Sequence, residues 1–231
     1  LAGAREARLE AESGRRYYAI TDDERLDTVA RDIVKHFTER GYPGKGLVVS
    51  IDRITAARMY EKVRSYWALQ LAGLRLQVGS AAEPDSEGDP GTPASAGGYL
   101  AYWEKTDMAL VLPKSMDDVE EFHRRGVDVV PHLERAAQEN LIAKFNDPED
   151  PLRLVFTCAN WIHGVDVPPC STIYLDKPMR DHALVQTVAR AGRAFQRKTS
   201  GLVIDYLGVF QDPRKVLAAY GAGSGAGVAP G

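Results

Sequence analysis

Residues 160–193 read NWIHGVDVPPCSTIYLDKPMRDHALVQTVARAGR and decide how the chain is organised. A turn rich in glycine and proline comes first, an apolar strand over 171–175 follows, and a helix ends the stretch. Three polar residues of the helix lie at i, i+4 and i+7, so they share one face at about 3.6 residues per turn: Gln186, Arg190 and Arg193. Apolar residues repeat on the opposite side, so the helix is predicted to pack on a sheet and present two guanidiniums outward.

Outside this stretch, four more short apolar runs occupy 46–51, 108–112, 152–158 and 201–207. Such continuous runs are typical of strands that are covered on both faces. Helical patterns separate them, at 21–37 with Thr21 as the predicted cap, 55–76, 116–125 and 132–145. The alternation predicts an α/β fold with a doubly wound parallel sheet and right-handed crossovers.

The predicted domain covers residues 21–215. Residues 1–20 are predicted to be a connector or a frayed helix, and 216–231 a disordered tail. Residues 79–98 are poor in apolar bulk and rich in glycine, proline and acid, which is typical of a flexible surface insertion. The first residue is not methionine, so we expect the chain to be a fragment of a longer protein.

Composition excludes several classes of protein. The 231 residues carry a formal net charge of −3, so any nucleic-acid-binding patch must be local. Two cysteines without ligand-spaced histidines argue against a zinc site, and we expect no metal ligands in this chain. Their scarcity is typical of a reducing compartment, so we expect a cytoplasmic location. No apolar run reaches the ~18 residues of a membrane span, and no membrane contact is expected.

Function is expected in the loops beyond the carboxyl ends of the strands, where parallel sheets bind ligands. Four loops qualify: 50–53, 113–115, 158–168 and 176–181. Asp166 is placed to hold a ribose hydroxyl, while Arg190 and Arg193 are placed to reach a γ-phosphate. An arginine that neutralises charge in phosphoryl transfer is worth ~10³–10⁵ in rate. The alternative is an ordinary solvated helix face.

Other features are given structural interpretations. Gly44, Lys45 and Gly46 superficially resemble a phosphate loop, but they precede a strand and no Ser or Thr follows the lysine. His163 and His182 are interpreted as polar loop and helix residues. No serine or cysteine has the neighbours of an activated nucleophile.

The functional stretch resembles motifs V and VI of superfamily 2 helicases, in Gly164-x-Asp166 and in Gln186-x-x-Ala189-Arg190-x-Gly192-Arg193. A closer resemblance is to the motor (R) subunit of type I restriction enzymes. It is carried by ERLDTVARDIVKHF (24–37), GKGLVVSIDRITAARMY (44–60), FNDPEDPLRLV (145–155), the stretch from GVDVPP through YLDKP to ARAGR (164–193), and GLVIDYLG (201–208). Three positions depart from that family's usual pattern: Ala159, His163 and Gly192.

The resemblance implies the second RecA-like domain of an ATP-driven double-stranded DNA translocase. Arg190 and Arg193 would be finger residues that Gln186 positions, and Gly164 and Asp166 would link nucleotide state to DNA grip. Four residues would contact the DNA backbone or a phosphate: Ser50, Arg53, Thr157 and Asn160.

The cofactors implied are ATP and Mg²⁺, held mainly by a first motor domain that this sequence lacks. The implied partners are double-stranded DNA, that first RecA-like domain and a nuclease domain of the same full-length chain, and methyltransferase and specificity subunits. We therefore expect no ATP hydrolysis by this chain alone. Two alternatives stay open: the C-terminal domain of another superfamily 2 helicase, and a non-catalytic α/β module that holds DNA.

Overall fold

The computed structural model describes residues 2–40, 44–80, 96–113, 118–158, 167–179 and 201–208. Within these ranges helices alternate with strands along the chain. The helices are α1 (Ala2–Thr21), α2 (Asp23–Glu39), α3 (Arg53–Ser80), α4 (Ala96–Glu104), α5 (Asp118–Arg124), α6 (Val130–Gln138) and α7 (Leu141–Asn146). The strands are β1 (Lys45–Ser50), β2 (Asp107–Leu110), β3 (Leu152–Thr157), β4 (Cys170–Asp176) and β5 (Leu202–Asp205).

The strands form one parallel sheet in the order β2-β3-β1-β4-β5. Strand β1 is central and pairs with β3 on one side and β4 on the other. In the register, Val49 lies opposite Thr157 and Ser50 lies opposite Asp176. All five strands therefore end at the same edge. The predicted α/β class with a parallel sheet is confirmed.

Alternation of side chains along the strands gives the sheet two buried faces. On one face, Val48 and Tyr174 pack with α2, α3 and α4, where Phe37, Trp67 and Trp103 meet with ring centroids 5.6–6.0 Å apart. On the other face, the core is completed by two α7 side chains, Leu141 and Phe145. Full burial of one such side chain contributes ~1.5–3 kcal/mol, so both layers stabilise the sheet.

The predicted cap of α2, Thr21, is wrong: the helix is capped by Asp22. Thr21 is the last residue of α1, and its hydroxyl donates back to the Tyr17 carbonyl at 3.0 Å. Asp22 caps α2 instead, because its Oδ1 accepts the Arg25 backbone N–H at 3.0 Å. Thr21 is still helical as the end of α1, whereas Asp22 has the extended backbone (φ −58°, ψ 136°) of a residue that precedes a helix.

The predicted helix over 132–145 is in fact two helices. Glu139 and Asn140 interrupt it, and Asn140 Oδ1 accepts the Ala143 N–H at 3.0 Å to cap α7. Helix α3 is longer than expected and reaches Ser80, and α4 begins at Ala96. Helix α4 was not predicted, because its start lies inside the low-complexity stretch 79–98. In the ranges given above, no helix has the length and apolarity to cross a bilayer.

Candidate functional site

The carboxyl edge of the sheet brings the predicted loops together. Strand β1 lies between β3 and β4 and is parallel to both, so Ser50, Thr157 and Asp176 lie at the same edge of the sheet. From this edge the chain continues into residues 159–166 after β3 and into residues 180–200 after β4. Those two segments contain most of the residues that the sequence singled out.

Six of the predicted site residues lie outside the described residues and stay predictions: Asn160, Gly164, Asp166, Gln186, Arg190 and Arg193. Three lie inside. Ser50 is 0% exposed and Thr157 is 1% exposed, whereas Arg53 is partly exposed as the first residue of α3. The structure therefore places Ser50, Arg53 and Thr157 at the edge where the sequence expected them.

Among the described residues of this edge, the Ser50 hydroxyl is the least satisfied polar group. Its Oγ is buried and makes no hydrogen bond to the described residues. Leaving a buried donor without a partner costs ~1–3 kcal/mol. A structural role alone would be served as well by alanine, so this hydroxyl is a candidate for a contact with a bound group.

Asp52 joins the start of α3 to the C-terminal part of α1 at this edge. Its Oδ1 accepts the Thr55 N–H at 2.7 Å and thereby caps α3. Its Oδ2 accepts the phenol of Tyr17 at 2.6 Å, and this bond is the main reason why the pKa of Tyr17 rises to about 12. Helix α1 is thus attached to the edge of the sheet. Sequence reasoning missed this, although an aspartate directly before a helix is a recognisable cap signal.

Asp176 carries the one fully buried carboxylate among the described acidic residues of this edge. It is 0% exposed, and Arg25 of α2 donates to both of its oxygens, Nη1 to Oδ2 at 3.2 Å and Nη2 to Oδ1 at 2.5 Å. Arg25 also donates to the carbonyls of Ile20 at 2.9 Å and Tyr206 at 3.4 Å. One guanidinium therefore holds the ends of α1 and β4 and the residue after β5 together.

Lys177 links the exits of β3 and β4. Its Nζ donates to the carbonyl of Cys158 at 2.5 Å. Burial raises the pKa of the Cys158 thiol, so the thiol stays protonated at neutral pH and is a poor nucleophile. The link has a geometric role: it joins the exits of β3 and β4 across the end of β1, which lies between them.

The opposite edge of the sheet contains the lysine that superficially resembled a phosphate-loop residue. Lys45 is 1% exposed at the start of β1, and its Nζ donates to the Lys144 carbonyl at 2.7 Å. Burial lowers the pKa of Lys45 to about 8. This lysine is a buried structural cation that faces away from the site. Among the side chains that the structure describes, no group of three His, Cys, Asp or Glu residues is arranged to hold a metal ion.

Comparison with known proteins points to one family. Residues 111–208 match the family described as type I restriction enzyme subunit R domain 3. A putative type I restriction enzyme MjaIXP endonuclease subunit of Methanocaldococcus jannaschii is 31% identical over 204 residues, which cover 87% of this chain and 16% of that protein.

Two further relatives agree. The type I restriction enzyme HindI endonuclease subunit of Haemophilus influenzae is 28% identical over 214 residues, covering 90% of this chain and 17% of that protein. A putative MjaVIIP endonuclease subunit of Methanocaldococcus jannaschii is 24% identical over 203 residues. The chain thus spans 16–17% of the length of the curated relatives that it matches.

Proposed function

The chain belongs to the family of type I restriction enzyme R subunits, and from this premise we propose that it is the second motor domain of an ATP-dependent double-stranded DNA translocase. In this proposal it forms one wall of an ATP site. The phosphate loop and the Mg²⁺ ligands belong to a first motor domain of the same full-length chain. The 231-residue chain, as the second motor domain, supplies the arginines of the ATP site and contacts to the DNA backbone.

The observation that carries the proposal is the meeting of three strand exits at one edge of a parallel sheet. Ligands of open α/β sheets bind beyond the carboxyl ends of the strands. Here Ser50 and Thr157 end neighbouring strands, Arg53 begins the helix after β1, and Lys177 ties the exits of β3 and β4 together. The segments that contain the motif-like residues start from the same edge.

The nucleotide role is assigned to the residues after β3 and β4. Arg190 and Arg193 neutralise charge that develops on the γ-phosphate, and Gln186 positions them. A guanidinium suits this task because it stays charged and donates through a planar fork. Gly164 allows close approach of the backbone to the nucleotide, and Asp166 accepts from a ribose hydroxyl.

The DNA role is assigned to the residues at the ends of β1 and β3, together with Asn160. Ser50 and Thr157 are buried, so Arg53 is the best placed of the described three to reach a phosphate. Contacts of this kind go to the backbone and do not read sequence. The net charge of −3 favours weak, salt-sensitive binding by this domain alone. Sequence recognition is left to a specificity subunit, and cleavage to a nuclease domain elsewhere in the full-length chain.

The test is DNA-stimulated ATP hydrolysis by a full-length R subunit assembled with its methyltransferase and specificity subunits. Arg193→Ala and Arg190→Ala are each expected to lower kcat by ~10³–10⁵. Arg75→Ala is the matched control: it removes an arginine from the exposed half of α3, where the side chain is 58% exposed and pairs with Glu104. Wild-type hydrolysis in Arg193→Ala would refute the proposal.

A second measurement uses the 231-residue chain by itself. It is expected to hydrolyse no ATP with or without DNA, because the other wall of the pocket is missing. Turnover by this chain that Arg193→Ala abolishes would reveal a complete site and contradict the division of labour between two motor domains.

A further inference from the structure

We propose that Arg25 of helix α2 is a positioning residue for the nucleotide chemistry, acting through Asp176 and Lys177 at the carboxyl edge of the sheet. The inference rests on the proposed function. It adds a residue that lies 151 positions before Asp176 in the chain and belongs to none of the motif-like segments.

The first link is the ion pair between Arg25 and Asp176. The guanidinium donates to both carboxylate oxygens, at 3.2 and 2.5 Å, and the carboxylate is 0% exposed. A two-point contact of this kind fixes orientation as well as distance. Because Arg25 also donates to the carbonyls of Ile20 and Tyr206, it cannot follow a displaced Asp176 without breaking other bonds.

The second link is the residue that follows. Lys177 comes directly after Asp176, and its Nζ donates to the Cys158 carbonyl at 2.5 Å. Cys158 is the last described residue after β3, and Lys177 belongs to the short described exit of β4 that ends at Met179. The series Arg25, Asp176, Lys177, Cys158 therefore fixes where two segments leave the sheet. In sequence, those segments contain Asp166 on one side and Arg190 and Arg193 on the other.

The buried charge is better explained by geometry than by stability. Replacing a buried ion pair with apolar residues of similar volume is often neutral or stabilising, so stability alone does not require Asp176 at the end of β4. A need to hold catalytic groups in fixed positions does explain the pair, since a misplacement of ~1 Å can cost ~10²-fold in rate. Helix α2 also forms a more exposed ion pair, between Asp23 and Arg58 of α3, whose side chains are 62% and 33% exposed.

The experiment measures kcat and KM for ATP in the full-length R subunit within its complex, with DNA present. Lys177→Met is expected to lower kcat roughly 10- to 100-fold, with KM for ATP changing by less than about threefold. Lys177→Arg is expected to restore most of the rate, because a guanidinium can donate to the same carbonyl. The double variant Arg25→Met with Asp176→Leu removes both charges together and is expected to show the same fall in kcat.

Folding is checked in each variant by the thermal midpoint. Arg58→Ala is the control, because it breaks a more exposed ion pair between α3 and α2. If the double variant folds and keeps the wild-type kcat, Arg25 is merely structural and the proposal is wrong. If the double variant does not fold, the comparison of Lys177→Met with Lys177→Arg decides. Equal kcat values for Lys177→Met and Lys177→Arg, or a higher KM with unchanged kcat in Lys177→Met, would overturn the proposal.

Arg193→Ala in the same assay separates the two proposals. Wild-type hydrolysis in Arg193→Ala means that the proposed function itself fails. Loss of hydrolysis in Arg193→Ala together with an unchanged kcat in Lys177→Met means that only the positioning role of Arg25 fails.

Discussion

The phenol of Tyr17 donates a 2.6 Å hydrogen bond to Asp52, the residue whose carboxylate also caps α3. One side chain thereby attaches helix α1 to the first turn of a helix that starts beside the candidate site. Because Asp52 uses one oxygen for each task, the two tasks can be separated by mutation.

Tyr17→Phe is expected to lower the free energy of unfolding by ~1 kcal/mol, since a hydrogen bond to a charged group is lost at a partly exposed position. Asp52→Ala is expected to cost more, because the cap of α3 is lost too and a cap is worth ~0.5–2 kcal/mol. Urea unfolding of the 231-residue chain measures both. Tyr18→Phe is the control, because Tyr18 is 75% exposed; an effect equal to that of Tyr17→Phe would contradict the assignment.

Arg25→Ala is expected to destabilise the chain by ~3–5 kcal/mol, because it leaves the carboxylate of Asp176 buried without its partner. Arg58→Ala breaks the exposed pair with Asp23 and is expected to cost no more than ~1 kcal/mol. Chemical denaturation at neutral pH measures the change in the free energy of unfolding for both variants. Similar costs for the two variants would show that the Asp176 carboxylate is solvated.

Lys45 is expected to make stability depend on alkaline pH. Burial lowers its pKa from the ordinary 10.5 to about 8, so between these two values the unfolded chain binds more protons than the folded chain. The free energy of unfolding therefore gains from this group as pH rises from about 8 towards 10.5, and the gain is lost as pH falls through 8.

The measurement for Lys45 is the difference in unfolding free energy between wild type and Lys45→Met at several pH values. Other groups that titrate at alkaline pH, including the tyrosines, contribute equally to both proteins and cancel. The difference should shift in favour of the wild type from pH 8 to 10. A constant difference across that range would mean that the ammonium of Lys45 is hydrated in the folded chain.

Gly46→Ala tests how closely α2 packs on β1. A Cβ at this position would lie 2.8 Å from Leu154 Cδ2 and 2.9 Å from Phe37 Cε2. Overpacking of this kind costs ~1–3 kcal/mol. Gly73→Ala is the matched control on exposed α3, where nothing lies within 4 Å of the new atom, and it should stabilise the chain by ~0.5–1 kcal/mol. Thermal unfolding compares the two, and equal shifts would contradict the packing.

Much of the fold follows from local patterns. Five apolar runs predicted the five strands to within a few residues, because burial on both faces leaves an unbroken apolar signature in the sequence. The parallel arrangement followed from their alternation with helices, and the predicted loop 50–53 lies at the carboxyl edge, where β1 ends and α3 begins. Helix boundaries were less accurate, because the caps at Asp22 and Asn140 depend on which nearby side chain reaches a free N–H.

The sequence by itself determined the strands, the class of sheet and the edge at which function is expected, since each depends on residues close together in the chain. Only the tertiary structure decided that Arg25 meets Asp176, that Lys177 meets the Cys158 carbonyl and that Tyr17 meets Asp52. These contacts join distant segments, and they arise from strand register and from the docking of α1 and α2 on the sheet. No local periodicity encodes such pairings, because they exist only once the sheet has formed.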